Sequence, residues 1–182
     1  MGEGVVDAIF ALFDRFGDQH YGEDATQRAH ALQTAELARR AGCTEAMIAA
    51  ALLHDIGQFL DDAGSAAETH GADAQHETKG AAYLARHFPD SVTEPVRLHV
   101  VAKRYLCAVD PTYRDALSRA SVLSLSLQGG AMTHAEARCF EATPFFADAV
   151  HIRRFDDMGK QPAWSVPTLE THRMRLLALL RR

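Results

Sequence analysis

Apolar residues recur along this chain at helical spacing from near its first residue to its last turn. Val5, Val6, Ile9, Phe10, Leu12, Phe13 and Phe16 fall on one stripe, and Gly17 stops it. A second stripe covers about 24–41 through Ala29, Leu32, Ala35, Leu37 and Ala38, closed by Gly42. Thr44 then reads as the N-cap of a third helix. Residues 47–53 of that helix are apolar on every side, which places it in the middle of a domain. A polar stretch over 61–75, rich in Asp, Ala and Gly, predicts a loop. Helical spacing resumes over 77–88 and ends before Pro89. Thr93-Glu94-Pro95 predicts an N-cap and an early proline for a helix reaching about residue 107. Asp110-Pro111-Thr112 opens another that runs to Leu127, ahead of Gln128-Gly129-Gly130. Shorter helices are expected over 135–141 and 145–154, and Pro167 opens a last one ending in the leucine-rich 176–180. Strand alternation is nearly absent, and no repeat or linker interrupts the pattern. The expected architecture is all-α: a single-domain helical bundle covering 1–182.

Composition narrows the classes. A chain with 47% hydrophobic and 24% charged residues has the balance of a soluble globular protein. Its formal charge of −5 leaves no basic excess for nucleic acid. No apolar run approaches the roughly 20 residues that cross a bilayer, and Met1-Gly2-Glu3-Gly4 lacks the basic and apolar order of a secretion signal. Cys43, Cys107 and Cys139 are widely spaced with no paired motif, so reduced thiols in a cytoplasmic protein are expected.

Ten histidines remain to be explained. His54-Asp55 stands where the buried third helix runs out at Ile56-Gly57. Ionisable groups at the end of an apolar helix are costly to bury unless something pairs with them, and a metal ion accepts both imidazole and carboxylate. His30 faces inward from the second helix, His76 opens the helix after the long loop, His99 lies within an apolar stretch, and Asp156 follows Arg153 by about one turn. Each alone passes for an ordinary core or surface residue. Six such residues at helix ends or inward positions around one buried His-Asp point to a metal centre. His20, His87, His134, His151 and His172 have no such placement.

The order His30, His54-Asp55-Ile56-Gly57, His76, His99, Asp156 resembles the HD-domain superfamily of metal enzymes. The additional pair His76 and His99 is similar to its dinuclear members, the mixed-valent diiron oxygenases, which include enzymes acting on myo-inositol and on 2-amino-1-hydroxyethylphosphonate. The likeness to the phosphonate-degrading branch covers about 21–160. It includes Ala102-Lys103-Arg104-Tyr105-Leu106-Cys107, Ser121, Leu127-Gln128-Gly129-Gly130 and Arg153-Arg154-Phe155-Asp156-Asp157. This resemblance implies two Fe ions in a mixed-valent Fe(II)/Fe(III) state. His30, His54, Asp55 and Asp156 would hold one ion; His76 and His99 would hold the other, with Asp55 bridging. Asp157 and His70 are the alternatives to Asp156 and His76. Asp156 is preferred for its spacing from Arg153, and His76 because it opens a helix.

The resemblance also implies a small phosphonate substrate and dioxygen. Lys103 projects from the helical face of His99, four residues away. With Arg153 and the Ser121 hydroxyl it would grip a tetrahedral oxyanion. Arg104 and Arg154 point off that face and are expected to be solvated. Tyr21 and Glu23 would close over the substrate and sense its amino end. Gln58 stands where the family's phosphonate enzyme carries a histidine; it hydrogen-bonds but does not titrate near neutrality, which suggests a different head group such as an N-methylated amine. The implied reaction is carbon–phosphorus cleavage of a 1-hydroxy-2-aminoethylphosphonate or its trimethylammonio analogue, releasing phosphate and glycine or a betaine. A metal-dependent phosphohydrolase is the alternative. A degenerate domain acting as a sensor is a third reading, disfavoured by the intact ligand set.

Overall fold

The structure, a computed structural model, describes residues 2–20, 24–60, 71 and 73–181. These form ten α-helices, and no strand occurs among the described residues. The first three, α1 (Gly2–Phe16), α2 (Gln27–Arg40) and α3 (Glu45–Leu53), lead into a short 3-10 turn at Ile56–Phe59. Then come α4 (His76–Leu84), α5 (Asp90–Val109), α6 (Pro111–Asp115) and α7 (Arg119–Leu127). The chain closes with α8 (His134–Glu141), α9 (Phe146–Met158), a 3-10 turn at Leu169–His172 and α10 (Arg173–Leu179).

Local chemistry sets the starts. Thr26, Thr44 and Ser118 cap α2, α3 and α7 by accepting backbone N–H bonds, and Thr133 with Glu136 forms a capping box on α8. Every residue of α3 from Met47 to Leu53 is buried. That helix is enclosed by α2, α5 and α9, while α1 and α10 pack together on the outside. The all-α bundle predicted from periodicity is the one observed.

Two expectations are corrected. Thr93 is not an N-cap: Pro89 takes the extended cap conformation and its carbonyl accepts from Val92 and Thr93, so α5 starts at Asp90 and buries Thr93 in its first turn. The helix expected over 110–127 is two, because Ser118 adopts an extended conformation and starts α7 afresh. In addition α9 runs on to Met158, which puts Asp156 inside it.

Candidate metal centre and substrate cavity

His54 is the C-cap of α3 and is fully buried. Its Nδ1 lies 2.9 Å from the Ala51 carbonyl, one of those a helix end leaves unpaired. His30 on α2 places Nδ1 2.8 Å from the Gly159 carbonyl, and His99 on α5 places Nδ1 2.7 Å from that of Val96. A carbonyl can only accept, so all three rings donate through Nδ1 and turn the Nε2 lone pair inward. The Nε2 atoms of His30 and His54 are 3.1 Å apart, and those of His76 and His99 3.2 Å. Facing lone pairs repel unless a proton or cation lies between them. Rings tied at Nδ1 and convergent at Nε2 are the arrangement by which histidines hold a metal.

Asp55 completes both groups. Its Oδ1 lies 3.1 Å from His76 Nε2 and 3.6 Å from His99 Nε2, whereas Oδ2 lies 3.6 Å from His54 Nε2 and 3.8 Å from His30 Nε2. One carboxylate thus offers one oxygen to each histidine pair. Asp156 adds a second carboxylate to the His30–His54 side, at 3.4 and 3.7 Å. Two sets, His30–His54–Asp55 and Asp55–His76–His99, are each close enough to hold an ion, and their N and O donors suit a transition metal.

Burial drives every one of these groups toward neutrality, and their mutual attraction opposes it. At the carboxyls attraction wins: His54 and His76 hold Asp55 well below the usual range, and Arg153 and His30 do so for Asp156. At His54 and His99 burial wins, and both rings are pushed down, His99 strongly. At His30 and His76 burial is outweighed by Asp156 and Asp55, so both are lifted.

Two glycines set the spacing. A Cβ on Gly57 would lie 1.9 Å from the His76 carbonyl oxygen, so only glycine lets the turn after His54-Asp55 press against the start of α4. Gly159, whose carbonyl orients His30, could not carry a Cβ without meeting Thr34 Oγ1 at 2.6 Å.

Beside the ligands lies a cavity of about 90 Å³, lined by His30, His76, His99, Asp55 and Asp156 together with Gln58, Lys103, Ser121 and Arg153. Burial, with nearby Arg153, holds the Lys103 ammonium down to about 8, and its Nζ donates to Ser124 Oγ at 2.8 Å. Arg153 is occupied: Nη1 pairs with Asp156 at 2.6 Å, while Nε and Nη2 donate to Asp157. Asp157 also accepts from Tyr113 at 2.6 Å, so it faces away from the histidines. Tyr21, Glu23 and His70 lie outside the described residues. Arg104 is not solvated as expected, because Nε donates to the Gly130 carbonyl at 2.9 Å and Nη2 pairs with Glu136. Arg154 is exposed and pairs with Asp110.

Lys160 and Ser124 also line the cavity and were not foreseen. A signal for Lys160 was present: it stands four residues after Asp156, the spacing that relates Lys103 to His99.

The fold and this constellation define an all-helical metal protein with a small polar cavity. The model of the HD domain matches residues 28–139, more than half of the chain. Hydroxymethylphosphonate dioxygenase of Gimesia maris is 49% identical over 173 residues, 94% of this chain and 85% of that protein. The glycine-betaine-forming [1-hydroxy-2-(trimethylamino)ethyl]phosphonate dioxygenase of Leisingera caerulea is 43% identical over 164 residues, 90% of this chain and 84% of that one. An uncharacterised protein of Acanthamoeba polyphaga mimivirus is 32% identical over 178 residues, 96% and 81% of the two chains. The chain belongs to the HD-domain phosphonate dioxygenases. None of its described helices is long and apolar enough to cross a membrane.

Proposed function

We propose that the protein is an iron-dependent dioxygenase that cleaves the carbon–phosphorus bond of a small 1-hydroxyphosphonate, yielding phosphate and a carboxylate. The observation that carries this reading is Asp55, with one oxygen turned to each histidine pair. His30, His54, Asp55 and Asp156 would hold one ion, and His76 and His99, sharing Asp55, would hold the other. A mixed-valent Fe(II)/Fe(III) pair supplies the redox chemistry with dioxygen when bound, and needs no external reductant because the C–H and C–P bonds of the substrate release the electrons.

The chain's own residues do the rest. Backbone carbonyls at Ala51, Val96 and Gly159 keep three imidazoles in the tautomer that donates to a metal at neutral pH. Arg153 holds Asp156 in place from the second layer. Lys103, with Ser121 and Ser124, meets the phosphonate end. Gln58 meets the remainder of the substrate with an amide that neither gains nor loses charge. The active unit is the whole of 1–182, since Arg153 and Asp156 lie beyond the 28–139 match and α1 and α10 cover the core that positions α3. All three cysteines are free thiols, which accords with a cytoplasmic site of action.

The relatives' named substrates share the 1-hydroxyphosphonate unit and differ in the substituent on its carbon. Iron-loaded protein is therefore to be offered hydroxymethylphosphonate, 1-hydroxy-2-aminoethylphosphonate and the trimethylammonio analogue. Phosphate release from at least one is expected; release from none contradicts the proposal.

A further inference from the structure

Four imidazoles converge on the centre, and three of them are tied from behind by the backbone. His30, His54 and His99 each donate Nδ1–H to a carbonyl, those of Gly159, Ala51 and Val96. His76 is held differently. Among the described residues its Nδ1 meets no carbonyl; the Glu77 carboxylate stands there instead, with Oε2 at 3.7 Å. That separation is an ionic contact, longer than a hydrogen bond. Glu77 is only 9% exposed, and its Oε2 is buried without a hydrogen-bond partner. Burying an acceptor in this way costs free energy unless a donor or a charge answers it.

The two halves of the centre differ in charge. On the His30–His54 side two carboxylates, Asp55 and Asp156, face the Nε2 atoms. On the His76–His99 side, among the described residues, Asp55 alone does so. The groups behind the ligands differ in the opposite sense. The Arg153 guanidinium stands behind Asp156, whereas an anion stands behind His76. A cation at Nε2 draws electron density from an imidazole and makes its Nδ1–H a stronger donor. A carboxylate behind the ring therefore fixes its tautomer and raises its basicity toward the metal.

We infer that Glu77 is a positioning residue for the second metal: behind Nδ1 of His76, it orients the ring and supplies the negative charge that this half of the centre lacks. The inference rests on the dinuclear reading above, not on the choice of substrate. Glu77 also lies in the first turn of α4, where a carboxylate favours the helix whatever the centre holds. Metal retention separates the two roles.

Zinc-loaded wild type, Glu77→Gln and Glu77→Asp are equilibrated against a graded chelator, and the ions retained are counted; the melting temperature of each stripped protein is recorded alongside. Wild type is expected to release two ions in turn. Glu77→Gln keeps the shape and loses the charge, so one of the two ions should be held about tenfold or more weakly and the other as in wild type. Glu77→Asp keeps the charge and should recover most of that loss. The iron-loaded Gln variant should show a weaker electron paramagnetic resonance signal from the iron pair. Glu77→Ser, uncharged and suited to a first turn, replaces the Gln variant if that one folds poorly. Unchanged retention of both ions, with only a lower melting temperature, makes Glu77 a structural anion of α4 and overturns the inference. A wild type that holds a single zinc ion overturns it as well. If iron-loaded wild type turns over no hydroxyphosphonate, the zinc counts still decide: one ion weakened in Glu77→Gln keeps the role of Glu77 while the dioxygenase reading falls.

Discussion

A half-buried carboxylate with one oxygen toward each of two imidazole pairs is kept ionised against burial chiefly by His54 and His76. Asp55 occupies that position. Asp55→Ala is expected to remove more than half of the bound iron and all activity, since both ions lose their shared charged ligand; metal analysis checks the first and phosphate release the second. A variant that keeps its iron and turns over normally rules out the bridging role. Lys103→Ala should weaken substrate binding by about 1.5–3 kcal/mol and leave iron content unchanged, as read from KM beside metal analysis. At this scale much of the site was legible. The helical spacing of His30 and His99 and the position of His54-Asp55 at the end of an apolar run gave the inward faces. Spacing does not say which of two adjacent carboxylates turns inward, or which acid an arginine meets. Arg153, expected at the substrate, lines the cavity and also meets Asp156 and Asp157. Lys160 keeps the four-residue spacing from Asp156 but lies beyond the end of α9, so that spacing alone was a weak signal.

Among the elements, the join between α3 and α4 decides whether the two histidine pairs meet. Gly57 allows that join by letting the 3-10 turn touch the His76 backbone. Gly57→Ala forces the start of α4 away, at a cost on the order of 1–3 kcal/mol for an overpacked contact. Its expected signature is a lower midpoint in denaturant with iron lost from the His76–His99 side first, tracked by iron analysis and electron paramagnetic resonance. Thr133→Ala removes a capping box that does not line the cavity, and should cost about 1 kcal/mol without altering iron content. Helix existence was readable because the apolar stripes of α1 and α2 stop at Gly17 and Gly42 and Thr44 caps α3. The break between α6 and α7 was not, since the residues at 116–118 continue a helical pattern and only the extended backbone of Ser118 interrupts it. The start of α5 was missed because Thr93 has the side chain of a cap residue, whereas it is buried in the first turn and Pro89 takes the cap conformation.

At the scale of the molecule, α10 packs against both α1 and α3. His172, at the start of the closing helix, is buried and accepts from Arg175, whose other contact is Glu45 on α3. Burial and the Arg175 guanidinium push the ring down to about 4, while Glu36 and Glu45 pull weakly the other way. The folded pKa lies below the ordinary imidazole value of about 6.5, so the neutral ring's contribution is fully present above that value. It is lost as pH falls from there through about 4, because the unfolded chain takes up the proton first. Between pH 7 and 5 the loss is on the order of 2 kcal/mol. His172→Gln keeps an acceptor for Arg175 and cannot titrate, so its urea midpoint should fall less steeply over that interval than the wild type's; parallel slopes exclude His172 as the source.

On the proposed function, this bundle brings two metals together for redox chemistry with dioxygen rather than for hydrolysis. Zinc can occupy such ligands and act as a Lewis acid, but it cannot exchange electrons. Dioxygen consumption and phosphate release should therefore be measured together for iron-loaded and zinc-loaded protein given the same 1-hydroxyphosphonate. One dioxygen consumed per phosphate released is expected with iron, no phosphate from the iron form under anaerobic conditions, and neither product nor uptake with zinc. Phosphate released by the zinc form without dioxygen would contradict the proposed function.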